Sequence, residues 1–63
     1  MMRYEYYDLE RNLLEVREDP EGEARERDAE ITLRIEGLTA THWRIVDVTK
    51  PVDGVQKVAI RPL

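Results

Sequence analysis

The sequence contains no cysteine, no serine and no phenylalanine, and it has one histidine and one tryptophan in 63 residues. Without cysteine, a disulfide framework and every thiolate metal site are excluded. Without serine or cysteine, few nucleophiles remain for covalent catalysis. No apolar run approaches membrane-spanning length, and the N-terminus shows no apolar signal-peptide region. These absences together predict a soluble, cytoplasmic protein.

Charge is plentiful but is divided unevenly along the chain. Residues 1–36 carry twelve of the fourteen acids against six arginines, a net charge of −6, and residues 37–63 carry two acids against four basic residues, a net charge of +2, for a total of −4. A chain of 63 residues forms one domain at most, near the size at which a single core is barely sufficient. Charge asymmetry informs on partners rather than on fold, and here it favours a small protein that docks onto something.

The clearest local pattern is a strict alternation of apolar and polar residues over 29–36. A period of two with β-branched residues predicts a strand with one buried face, which ends at Gly37. The residues predicted to face the core are Ala29, Ile31, Leu33 and Ile35.

A second pair of strands is predicted around Asp53-Gly54, a strong hairpin signal between apolar β-formers. A two-residue loop would place Lys50 opposite Lys57, and like charges across a ladder are unfavourable. The sequence therefore favours a three-residue loop, residues 52–54, with Gly54 in the left-handed conformation. This register pairs Val48 with Val58 and Val46 with Ile60.

Residues 2–18 fit either a helix or a hairpin. One helical stripe could hold Tyr6, Leu9, Leu13 and Val16, but crowded tyrosines and the turn-like Glu10-Arg11-Asn12 favour two strands. The predicted fold is all-β: a small five-stranded antiparallel meander, as an SH3-like or OB-like barrel or a highly twisted sheet. The alternative is an α+β fold with an N-terminal helix over residues 5–18.

No residue pattern predicts catalysis, a cofactor or a metal. The only histidine, His42, follows Thr41, and because neighbours on a strand point to opposite faces, the two are not expected to share a proton. The carboxylates at positions 19, 21 and 23 flank a glycine at the wrong position for an EF-hand loop. With 38% charged residues, paired acids are expected by chance. The sequence therefore predicts a protein that is not an enzyme.

Residues 18–28 match neither strand nor helix period and are predicted to form an acidic, mobile loop within the single domain 1–63. Tyr6 and Tyr7 are adjacent, so on a strand one of them must face outward, and an exposed Tyr7 is the best candidate for an interface anchor. The predicted function is a protein-binding module that docks on a basic partner, for example a small phage-type inhibitor or accessory factor whose carboxylates mimic phosphates. The predicted partner-binding residues are Tyr7, Glu18, Asp19, Glu21, Glu23, Glu26 and Asp28.

Two other functions compete with this prediction. The C-terminal half could form a nucleic-acid-binding face with Arg44, Lys57 and Arg61, although three or four cations are a small footprint for phosphate binding. Alternatively, the −6 and +2 halves could complement each other in a self-associating structural subunit.

Overall fold

The computed structural model describes all 63 residues of the chain. It contains five strands and no helix. The strands are β1 (Met2–Tyr7), β2 (Leu13–Asp19), β3 (Glu30–Thr32), β4 (His42–Val48) and β5 (Val55–Pro62). They form one curled half-barrel sheet in the order β2-β1-β5-β4-β3. The prediction of a five-stranded all-β domain is confirmed. The alternative helix over residues 5–18 is wrong, because this stretch forms the β1–β2 hairpin.

One strand pair departs from the predicted antiparallel meander. β1 and β5 are parallel neighbours, from Arg3 beside Val55 to Tyr7 beside Ala59, whereas the other three pairs are antiparallel. β2 and β3 are consecutive along the chain but lie at opposite edges of the sheet. Residues 20–29, which we call the crossing segment, must therefore pass from one edge of the sheet to the other.

The curled sheet encloses a small apolar core on its inner face. Tyr4 and Tyr6 from β1 have their ring centres 5.9 Å apart, and Nε1 of the buried Trp43 donates a hydrogen bond to the carbonyl oxygen of Leu33 at 2.8 Å. The buried core residues are Met2, Tyr4, Tyr6, Leu33, Ile35, Trp43, Ile45, Val58 and Ile60. Their burial requires the strands to alternate between inner and outer positions.

The predicted faces of residues 29–36 are confirmed, but the predicted strand is too long. Leu33 and Ile35 are buried, and Ala29 and Ile31 pack against the core. Only Glu30–Thr32 is β-strand, because after the bond from Leu33 N to Thr41 O the chain leaves β4. Ile35 then enters the core from a loop that turns at Gly37, whose φ is +86°.

The β4–β5 hairpin has a two-residue turn, so the predicted three-residue loop is wrong. Val52 and Val55 exchange both backbone hydrogen bonds at 2.9 Å, and both central residues, Asp53 and Gly54, have positive φ, as a type I′ turn requires. An irregular stretch at residues 50–51 separates this turn from the ladder, so Lys50 does not lie opposite Lys57.

The register of the β4–β5 ladder changes once, at a bulge. The predicted pair Val48–Val58 is confirmed. The predicted pair Val46–Ile60 is wrong, because Ile45 pairs with Ile60 and Val46 is the extra residue of the bulge.

Candidate functional site

The crossing segment lies over the inner face of the sheet and is tied to it by hydrogen bonds. The hydroxyl of Tyr4 donates to the carbonyl oxygen of Glu23 at 2.6 Å. Near the other end, Asp28 N donates to Ile45 O, and Ile45 N donates to Ala29 O, both at 2.8 Å. Hydrogen bonds therefore hold the predicted acidic segment against the core. Glu18 and Asp19 are the last residues of β2 rather than part of a loop.

Gln56 holds the middle of the crossing segment. Its side chain is 1% exposed and projects from β5 toward the core. Oε1 accepts a hydrogen bond from Arg25 N at 2.7 Å, and Nε2 donates to Arg25 O and Thr49 O, both at 3.0 Å. The amide thus pairs with the backbone of Arg25 much as a neighbouring strand would, and every polar atom of this buried side chain has a partner.

Both arginines of the crossing segment turn back onto the domain. The guanidinium carbon of Arg25 lies 4.8 Å from the centre of the Tyr4 ring, in cation–π geometry. Burial raises the pKa of Tyr4, and the positive charge of Arg25 partly opposes that rise. Arg27 forms an ion pair with Asp47 on β4, and its hydrogen bond holds the pKa of that carboxyl below its usual value.

The acids of the crossing segment behave in the opposite way. None of them has a cationic partner within 4.0 Å, and all are exposed to solvent. We call them the acidic surface: Glu21, Glu23, Glu26 and Asp28. By contrast, Glu18 is bound by Arg3 at 2.7 Å, and Asp19 accepts a hydrogen bond from Glu21 N at 3.1 Å. The predicted acids therefore divide into a free set and a set engaged within the domain.

Tyr7 lies on the other side of the sheet from the acidic surface. Tyr4 and Tyr6 point into the core, so Tyr7 projects from the outer face, where Leu13 and Ala59 are its cross-strand neighbours. It is half-buried, and its hydroxyl donates to Glu5 Oε1 at 2.9 Å, which raises the pKa of Tyr7. Tyr7 and the acidic surface do not form one continuous patch.

A groove of about 560 Å³ lies beside Tyr7 on the outer face. Ala59, Val46 and the exposed Leu9 supply apolar lining, and Arg11 and Lys57 lie at its margin without an acidic partner within 4.0 Å. Leu13 and Val16 are also exposed next to it on β2. This apolar outer surface was missed from the sequence, because two bulges, at Leu14 and Val46, decide which side chains reach it.

The three cations of the alternative nucleic-acid face share the outer face of the sheet. The bulge at Val46 places Arg44 opposite Arg61, and Lys57 lies two residues before Ala59 on the same side of β5. Arg44 is already bound by Glu30 at 2.8 Å, and Lys57 has Glu5 as its neighbour on β1. Acids thus interrupt this basic face.

Thr41 and His42 are closer than the sequence predicts. Thr41 Oγ1 lies 3.0 Å from His42 Nδ1, so the prediction that they cannot share a proton is wrong. The reason is that β4 begins at His42, which leaves Thr41 outside the strand and free of its alternation. No carboxylate binds the other ring nitrogen of this exposed histidine, so the third member that orients a catalytic base is not in place.

No group of three or more histidines or acids lies close enough to hold a metal ion, and no helix is present that could cross a membrane. Comparison with known proteins adds no assignment: no family model, no curated protein and no solved structure matches this chain.

Proposed function

We propose that this chain is a non-enzymatic protein-binding module that docks through the acidic surface onto a basic partner, as a small inhibitor or accessory factor. One observation carries the proposal. The crossing segment turns both of its arginines toward the domain and leaves its acids unpaired in solvent, on a backbone fixed by Gln56 and Tyr4. The segment thereby exposes four acids without a cationic partner, while its two arginines contact Tyr4 and Asp47.

The fixed backbone supports binding because the cost of ordering a loop is met during folding rather than at the interface. Carboxylates accept paired hydrogen bonds from arginine in the same way as phosphate groups do. A basic groove that handles nucleic acid would therefore recognise this surface. The excess negative charge also accelerates encounter with a positive partner.

The nucleic-acid alternative has weaker support. Arg44, Lys57 and Arg61 share one face, but Glu30 binds Arg44 and Glu5 lies beside Lys57. A footprint of about three phosphates would also give weak, salt-sensitive binding. Direct titration with a single-stranded oligonucleotide at low salt tests this alternative without knowledge of a protein partner.

Affinity capture from a lysate of the native host tests the proposal. The immobilised chain should retain a basic protein at low salt and lose it as salt rises. Changing Glu21, Glu23 and Glu26 together to lysine should abolish capture, since like charges across an interface cost several kcal/mol, on the order of a thousandfold in affinity. The matched control, Lys57→Glu with Arg61→Glu, lies on the outer face and should leave capture intact.

Competition distinguishes phosphate mimicry from general acidity. An added oligonucleotide should displace the chain from its captured partner if both occupy one basic groove. Capture that survives the triple lysine change would refute the proposal, and so would oligonucleotide binding by the chain itself that is lost in the Lys57 and Arg61 control.

A further inference from the structure

We propose that β2 is a self-pairing edge through which two copies of this chain form a dimer. β2 is seven residues long and pairs only with β1. Beyond that ladder, its only backbone hydrogen bond is the turn bond from Gly22 N to Asp19 O. An unpaired edge of this kind offers alternate donors and acceptors to another strand. The inference does not depend on the acidic surface.

The order of charges along β2 selects a second copy as the occupant. Antiparallel pairing about a twofold axis at Val16 places Glu15 opposite the second copy's Arg17, and Arg17 opposite its Glu15. Both residues lie on the inner side of the sheet, because Glu15 pairs with Tyr6 and Arg17 with Tyr4. Two opposite-charge pairs therefore form across the axis, each of which stabilises an antiparallel ladder.

Neighbouring registers do not have this property. An axis at Glu15 would place that residue opposite its own copy, and an axis at Arg17 would place two guanidinium groups opposite each other. A shift by a single residue would pair inner with outer side chains. The axis at Val16 is thus the one register near the middle of β2 that the charges favour.

The side chains at this edge are available for pairing. Val16 is 40% exposed. Arg17 is already paired with Glu15 of its own strand, through Nε at 3.0 Å and Nη2 at 2.9 Å, and Nη2 also donates to the carbonyl oxygen of Arg34 at 2.6 Å. Nη1 is therefore the group of Arg17 left for a carboxylate of the second copy. The opposite edge of the sheet, β3, has only three residues, Glu30–Thr32, and no pair of opposite charges.

Sedimentation equilibrium at protein concentrations from about 10 μM to about 1 mM tests the dimer. This range of concentrations detects a dissociation constant that lies within it. The average mass should rise from 7.5 kDa toward twice that value. Glu15→Arg and Arg17→Glu, made separately, each place like charges across the axis and should weaken the dimer by about tenfold or more. An equimolar mixture of the two variants should dimerise again, because the mixed pair restores both opposite-charge contacts.

Lys50→Glu is the matched control, since it changes net charge as much as Arg17→Glu does but lies outside the sheet. A chain that stays monomeric at the highest concentration would overturn the proposal, as would equal effects of Lys50→Glu and Arg17→Glu, or a mixture that fails to associate. If circular dichroism shows that Arg17→Glu is unfolded, Val16→Lys takes its place. That change spares the bond to Arg34 and sets two ammonium groups at the axis, so undiminished dimerisation would also contradict the assignment.

Discussion

Gln56 shows how a single polar side chain organises this small domain. A buried amide is tolerated when its donors and acceptor are all paired, and its removal leaves the partner groups unsatisfied. Here those partners are the amide and carbonyl of Arg25 and the carbonyl of Thr49. Gln56 therefore holds the middle of the backbone that carries the acidic surface, between the bond of Tyr4 to Glu23 and the bonds of Asp28 and Ala29 to Ile45.

Gln56→Leu should accordingly destabilise the domain by about 2–4 kcal/mol, because two carbonyls and one amide lose their partners while the apolar volume is kept. Urea unfolding measures the loss, and hydrogen exchange at the Arg25 amide should accelerate more than exchange in β1. Lys57→Leu, at an exposed position of the same strand, should change stability little. Slow exchange at Arg25 in the Gln56 variant would show that the segment is held by other contacts.

Asp8 makes stability depend on pH in the acid range. Its carboxylate accepts hydrogen bonds from Asn12 Nδ2 and from the backbone N–H groups of Glu10 and Asn12, and the first of these is the main reason that its pKa is lowered. A carboxyl with a lowered folded-state pKa contributes stability above its unfolded pKa of about 3.9 and loses that contribution as pH falls through the folded value.

Asp8→Asn should therefore flatten the fall in stability below about pH 4. The measurement is a series of urea melts from neutral to acid pH for the parent and the variant. Asp47, whose pKa is lowered by Arg27, contributes in the same direction, so some acid sensitivity remains in the variant. Parallel curves for the two proteins would show that the Asp8 turn does not couple to folding.

Strand faces are easier to predict from this sequence than strand partners. Alternation at Leu33 and Ile35 depends on local geometry, and both residues are buried as expected. The partner of Ile60 depends on a bulge at Val46, and a bulge adds one residue without a distinctive sequence. The acidic character of the crossing segment was likewise visible, but its attachment depends on Gln56, 31 residues further along the chain from Arg25.

The β4–β5 turn ties two elements together. Gly54 has φ +77°, and a Cβ added there would lie 3.2 Å from the carbonyl oxygen of Met1. Its own carbonyl oxygen accepts a hydrogen bond from Arg3 N at 2.7 Å. The turn thus joins the start of β5 to the start of β1.

Gly54→Val should cost about 1–3 kcal/mol, because a β-branched residue is strained at positive φ and its side chain would crowd Met1. Asp53→Asn is the control, since asparagine adopts the left-handed conformation readily. Denaturant melts of the two variants give the comparison. A valine variant as stable as the parent would mean that the turn relaxes to another conformation at no cost.

At the scale of the whole molecule, the parallel β1–β5 pair joins the two ends of the chain. Arg3 lies beside Val55, so the ladder closes only after nearly all of the sequence is in place. Long-range pairing of this kind cannot be inferred from periodicity, so the sequence predicts a meander of sequence neighbours instead. It also predicts that folding is slow relative to sheets built from hairpins alone.

The unpaired acids of the molecule add to its net negative charge and do not stabilise the fold through ion pairs. The acids at positions 21, 23 and 26 have no cationic partners, so they repel other acids of a chain with net charge −4 without any compensating contact. Changing all three to glutamine brings the net charge to −1 and should raise stability at low salt by about 0.5 kcal/mol. This gain in stability should vanish at about 0.5 M salt, where exposed charges are screened.

Thermal melts at both salt concentrations measure this effect, with Lys50, Lys57 and Arg61 changed together to glutamine as the control. That control brings the net charge from −4 to −7 and should lower stability at low salt. A domain destabilised by loss of its free acids would mean that they make contacts within the fold. If the triple glutamine variant is at least as stable as the parent but no longer captures the partner, then the three acids serve binding and slightly lower the stability of the domain.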